Sequence, residues 1–193
     1  RRDDELRSFC HRVATAVNAA YGDGVERGDG VTDGLPETSG DLVASRASYV
    51  AMEVANRLGG VVDSDEAFES AWAETSYDLR SDLNTLVFPA GSLRFGLRRH
   101  RALLFKYVAD RCFGLPSRLI RGRYYCGSEN AAANVVVVNG LELFVDVLRA
   151  PGTLYAADDP RYADLHQPHV PREIRVNLVS MTSATGRAMA SAL

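Results

Sequence analysis

Cysteine is scarce in this chain. Cys10, Cys112 and Cys126 are the only three among 193 residues, an odd number at unrelated spacings. That argues against a disulfide scaffold and for a reducing compartment, here the cytoplasm. Long apolar runs are also missing, because charges interrupt each one before the roughly 18 residues a membrane helix needs. The N-terminus, RRDDELRSFCHR, has no apolar core followed by small residues, so it does not read as a secretory signal. No Gly-rich phosphate loop occurs. His166 and His169 flank Pro168 in a polar tail at a spacing too weak for a metal site, and no metal or cofactor is expected. A net charge of −3 excludes nucleic-acid or membrane binding by bulk electrostatics. The chain does not begin with Met, and the expectation is a piece of a longer protein.

What is present is an ordinary globular composition, 46% hydrophobic and 24% charged. A chain of this length buries about 70% of its unfolded surface and needs no staples to fold. Its charge is segregated. Between Arg94 and Arg123 stand nine basic residues against one acid, Asp110, while Asp63, Asp65, Glu66, Glu69, Glu74, Asp78 and Asp82 make residues 63–82 acidic.

Leu6, Phe9, Cys10, Val13 and Val17 recur at helical spacing across 4–20. The Gly- and Asp-rich stretch that follows has no periodicity and reads as a loop, so 1–41 forms an N-terminal helix and linker. A second helical stripe runs from Leu42 to Leu58 and stops at Gly59-Gly60. A third runs from Ser64 to about Tyr77, and Leu86–Pro89 make an extended link. HRALLFKYVADRCF is apolar almost all round, as expected of a helix at the centre of a core. Strands are expected at 117–123, 134–138 and 141–147, with Asn139-Gly140 joining the last two as a hairpin. Helices followed by antiparallel strands make an α+β domain over 42–160, with 161–193 as a C-terminal extension.

The feature that asks for an explanation is Arg98-Arg99-His100-Arg101, opening the central helix. Clustered cations are unfavourable at the positive end of a helix dipole. Either an internal network compensates, pairing Arg99 and Arg101 with the 63–82 acids or with Asp146, or a bound anion does. Cys112 reads as an inert core thiol, and Cys126 after Tyr124-Tyr125 as structural.

The stretch from PAGSLRFGLRRHRALLFK through VADRCFGLPSRLIRGRYY to VDVLRAPGTLYAAD resembles the peptidase-like domain of two protein groups. One is the plant Raf-like kinases of the constitutive-triple-response and enhanced-disease-resistance type; the other is a set of armadillo-repeat proteins. The likeness covers about Leu42 to Asp158. It implies a transglutaminase-like (papain-like) fold, with a helical N-terminal part and a buried central helix packed on an antiparallel sheet. In that fold a Gly-x-Cys-x-x-x-Ala motif opens the helix, a His opens the next strand, and an Asp follows on the strand after it. The thiol needs the helix dipole, the His acts as base and the Asp orients it.

Laid on that pattern, Gly96 and Ala102 fit the frame and put Arg98 in the nucleophile position. Ala131 falls in the His position, and Asp146 alone matches. An Arg is protonated at every relevant pH and an Ala cannot accept a proton, so the triad reaction is unavailable. The resemblance therefore implies a pseudo-enzyme: a regulatory or interaction domain N-terminal to a Ser/Thr kinase, or a scaffold domain of an armadillo-repeat protein. Its partner would be the kinase domain of the same polypeptide or a receptor, with membrane association through that partner left open. Arg98 is expected to pair with Asp146 and plug the former cleft. Arg98, Arg99, Arg101, Arg121 and Arg123 are alternatively candidates for binding an acidic phospholipid, phosphopeptide or protein partner. A lesser alternative is a thiol hydrolase or acyltransferase using Cys126 with His100 as base, although the basic cluster should depress the His100 pKa.

Overall fold

In the computed structural model, residues 3–21, 40–121, 132–156 and 158–161 are described. Helix α1 spans Asp4–Tyr21, α2 Gly40–Arg57, α3 Asp65–Leu83 and α4 Arg98–Val108. A 3₁₀ turn at Ala90–Ser92 precedes α4, and a π-helical turn at Ala109–Phe113 extends it. Four strands follow: β1 Ser117–Arg121, β2 Ala132–Val138, β3 Leu141–Val145 and β4 Leu154–Ala156. They form one antiparallel sheet in the order β1-β2-β3-β4, so the molecule is α+β.

The core is built from the apolar stripes of the helices. Leu6, Phe9, Val13 and Val17 of α1 meet Val43, Ala47, Val50, Ala51 and Val54 of α2, together with Leu104, Phe105 and Val108 of α4. The core thus begins before residue 42 and takes in α1. Asp3 ties this first helix down: its Oδ1 accepts from the Leu6 N–H at 3.0 Å and its Oδ2 from the Gly91 N–H at 2.7 Å. The first is an N-cap bond, and the second joins α1 to the 3₁₀ turn. Helix α4 packs against β2 and β1 on one side and α2 on another. Its outer face stays in solvent, where Leu103 is 58% exposed, so the helix is central without being buried all round.

Several element ends differ from the sequence expectation. Helix α3 starts after Ser64, whose hydroxyl accepts from the Ala67 N–H at 3.4 Å, but runs on to Leu83, where Asn84 turns left-handed at φ 46°. Nothing in Asp78–Leu83 breaks a helix, so the stop waits for a residue that tolerates positive φ. β4 was not anticipated: three residues carry too little alternation to register. Asn139 and Gly140 both have positive φ, 51° and 79°, as a type I′ hairpin demands. Arg123, Cys126 and Ala131 lie outside the described residues, as do the Gly/Asp-rich loop and the C-terminal extension.

Candidate functional site

Three element ends converge on the first turn of α4. Lys106 Nζ donates to the Ser117 carbonyl at 2.8 Å, and Asn134 Nδ2 donates to the Ala102 carbonyl at 3.0 Å. Asn134 is registered with Leu119, so β1 runs back along α4 toward its N-terminus and carries Arg121 to the Arg98–Arg99 level. Ala132, opening β2, is the register partner of Arg121. Val145 is paired with Asn134, which places Asp146 just beyond the end of β3 in the same region.

Asp146 is fully buried. Its Oδ1 accepts from the Leu148 N–H at 2.7 Å and the Arg149 N–H at 3.0 Å, and its Oδ2 from the Ala150 N–H at 3.0 Å. A carboxylate that folds three successive amides around itself organises the turn leading to Pro151-Gly152. Its main chain takes part as well: the Asp146 N–H donates to the Thr153 carbonyl and the Gly152 N–H to the Asp146 carbonyl, both at 2.9 Å.

Arg101 is also fully buried. Its Nε donates to the Gly96 carbonyl at 3.0 Å and its Nη2 to the Leu58 carbonyl at 2.7 Å. Its Nη1 reaches two carbonyls, Gly60 at 2.6 Å and Val147 at 3.1 Å. The guanidinium lies over the Phe68 ring, 5.0 Å from its centroid. Burial pulls its pKa down to about 10, against the upward pull of Asp146. Leu58 and Gly60 follow the last turn of α2, so Arg101 serves the negative end of that helix rather than loading the positive end of its own. For Arg101 the compensation comes from carbonyl oxygens. The signal was in the sequence: Arg101, Leu104, Phe105 and Val108 sit at i, i+3, i+4 and i+7, the buried stripe of α4.

The neighbours on α4 point elsewhere. Arg98 is half-buried and Arg99 exposed. His100 Nδ1 accepts from the Leu97 N–H at 3.0 Å, the His100 N–H donates to the Leu97 carbonyl at 2.8 Å, and its ring stacks on Trp72 with centroids 4.2 Å apart. Burial first, and Arg99 second, push its pKa down to about 4. His100 is therefore neutral at pH 7, with one ring nitrogen already committed to the backbone. Arg121 is exposed, and neighbouring Arg118 is held by Glu142 at 2.7 Å. Cys10 and Cys112 are free thiols, the Cys112 Sγ donating to the Cys10 carbonyl at 3.8 Å, and burial drives the Cys112 pKa up to about 12.

A separate open cleft of about 660 Å³ lies between α1 and α2. Arg12, Arg57 and Arg94 line it opposite Asp4, Glu5 and Glu53, so its charges balance. Glu5 contacts Arg94 at 2.8 Å and Arg57 at 3.8 Å, and Arg57 rests on the Phe9 ring at 4.9 Å. Sequence reasoning missed this cleft because its members come from three distant segments. Among the described residues, no group of three His, Cys, Asp or Glu side chains could hold a metal ion. No helix there is long and apolar enough to cross a membrane.

Residues 37–155 match the model of the EDR1/CTR1/ARMC3 peptidase-like family. The probable serine/threonine-protein kinase SIS8 of Arabidopsis thaliana is 41% identical over 122 residues, 63% of this chain and 12% of that protein. The serine/threonine-protein kinase CTR1 of the same plant is 40% identical over 108 residues, 54% of this chain and 13% of the relative. Human armadillo repeat-containing protein 3 is 36% identical over 90 residues, 47% and 10% of the two chains. The chain therefore spans a small fraction of the length of each of these relatives. No solved structure matches it. The match over residues 37–155, more than half of the chain, places this chain in the EDR1/CTR1/ARMC3 peptidase-like family.

Proposed function

We propose that this is a peptidase-like domain that has lost its reaction and serves regulation and binding as the N-terminal part of a Raf-like serine/threonine protein kinase. The observation that carries the reading is the state of Asp146. A carboxylate offers about four acceptor positions, and three are taken by the amides of Leu148, Arg149 and Ala150. We assign the fourth to Arg98, the first residue of α4, so that the pair closes the cleft a nucleophile would occupy. The transglutaminase-like (papain-like) fold belongs to the same proposal. It is supported by the convergence of the α4 N-terminus, the start of β2 and the end of β3, the three places from which a Cys, a His and an Asp would meet.

Neither Arg98 nor Ala131 can perform the missing steps, since a guanidinium stays protonated and a methyl group accepts no proton. His100 is a poor base for Cys126, since a pKa near 4 makes it a weak proton acceptor and its Nδ1 already accepts from the Leu97 N–H. Arg99 and Arg121 form the face offered to a protein partner in the cytoplasm, the kinase domain or a receptor. The kinase relatives are the more similar, which favours this context over a scaffold in an armadillo-repeat protein.

Two measurements test the proposal. An alkylating thiol probe at neutral pH should label Cys126 no faster than an unstructured peptide thiol; rapid, saturable labelling would revive the hydrolase reading. Kinase activity of the intact parent protein should change with Arg99→Glu and Arg121→Glu together, and an unchanged activity would remove the regulatory role from this face.

A further inference from the structure

Several surface charges of this domain are paired. Arg7 meets Asp4, Arg57 and Arg94 share Glu5, Lys106 holds Asp110, Arg118 holds Glu142 and Arg161 holds Asp159. Two faces among the described residues depart from this pattern. On α3, Glu74, Asp78 and Asp82 form an exposed row at i, i+4 and i+8 without a cation to balance it. Like charges at that spacing repel and weaken the helix. Around them Tyr77 is 72% exposed, and Leu86 and Val87 in the following link are each 80% exposed. Helix α3 itself buries only Phe68 and Ser76.

The second face is the outer stripe of α4. Arg99, Leu103 and Tyr107 stand at i, i+4 and i+8, and Arg111 continues the row into the π turn. Arg99 and Arg111 are exposed without a carboxylate partner, while Leu103 is 58% and Tyr107 37% exposed. One face is thus acidic and flanked by exposed apolar residues, and the other has Leu103 and Tyr107 between two arginines. The two helices that carry them meet where the Trp72 ring of α3 lies against His100 of α4, with centroids 4.2 Å apart.

We propose that the domain self-associates as a two-fold dimer in which α3 of each copy lies on the outer stripe of α4 of the other. A two-fold axis makes two identical contacts from one pair of adjacent patches. A basic partner from another chain would cover the α3 face and leave the α4 stripe bare; a second copy covers both. This names a partner for the Arg99 face and rests on its role in protein binding, not on the loss of catalysis.

Sedimentation velocity of the 193-residue chain tests it. The expected result is a monomer–dimer equilibrium below a concentration on the order of 100 µM, weakened by salt because the attraction is between exposed charges. Asp78→Arg with Asp82→Arg, or Arg99→Asp with Arg111→Asp, should each raise the dimer Kd about tenfold or more, since like charges would then face each other. Mixed together, the two reversed proteins should recover a heterodimer, both of whose contacts are again complementary. Circular dichroism verifies that each variant folds. If a reversal does not, Leu86→Ser with Val87→Ser cuts the same contact outside any helix. A wild-type monomer throughout the range leaves the two faces to other chains and overturns the proposal. So does a dimer indifferent to both reversals, or a pair of variants that stays monomeric when mixed. A kinase readout on Arg121→Glu alone, a residue of β1 outside both dimer faces, makes failure of self-association distinguishable from failure of partner binding.

Discussion

Arg101 carries a full charge with no exposed surface, and it is tolerated because four carbonyls and an aromatic face replace its water. Removing it strands those carbonyls and takes a nearby positive charge away from Asp146. Arg101→Ala should cost about 3–5 kcal/mol in urea unfolding, and Arg101→Lys should recover only part of this, because an ammonium cannot reproduce the fork. His100 supplies a pH test. Its folded pKa lies near 4 against an ordinary 6.5, so between those values the unfolded chain binds the extra proton. Stability from this group is therefore complete above pH 6.5 and is lost as pH falls toward 4. His100→Gln, whose amide can still accept from the Leu97 N–H, should flatten that window, and an unchanged slope would place the acid sensitivity elsewhere. The basic cluster itself was visible in the sequence, but the separate fates of its members were not. Consecutive helical residues point about 100° apart, so Arg98, Arg99 and Arg101 face different surroundings, and packing decides which side is core.

At the scale of elements, what was legible followed from periodicity and turn chemistry. The stripes of α1 and α2, the Asn139-Gly140 hairpin and the stop after α4 all rest on local rules. Gly114 ends the π turn at φ 56° with open space around the position a Cβ would take. Gly114→Ala should therefore cost only the left-handed penalty, about 1 kcal/mol, and a much larger loss in thermal unfolding would mean a packing role. Elements governed by tertiary partners were harder to read. Helix α3 outran its expected end because its C-terminal half has little to pack on and simply continues until Asn84. The π turn at Ala109–Phe113 leaves no mark in an apolar run that suits an α-helix equally well. Asp146 was legible as a position in a family pattern. Its local task could have been inferred from the Asp that precedes Pro151-Gly152, since such a side chain commonly accepts from the amides just after it.

At the scale of the whole molecule, the fold is held together where its helices meet the ends of its strands. Buried Arg101 and Asp146 knit the ends of α2, β3 and α4 together. The remaining thiols fit this picture. With its pKa near 12 and its side chain half-buried, Cys112 should resist alkylation at pH 7 until the chain unfolds. Labelling of native protein at the rate of unfolded protein would contradict that burial. The most direct test of the closed cleft is a double-mutant cycle between Arg98→Ala and Asp146→Asn, read by urea unfolding at pH 7. A plug formed by this pair predicts a coupling of about 1 kcal/mol or more. Strict additivity, with Arg98→Ala leaving stability unchanged, would mean that Asp146 serves its turn alone and that the cleft stands open.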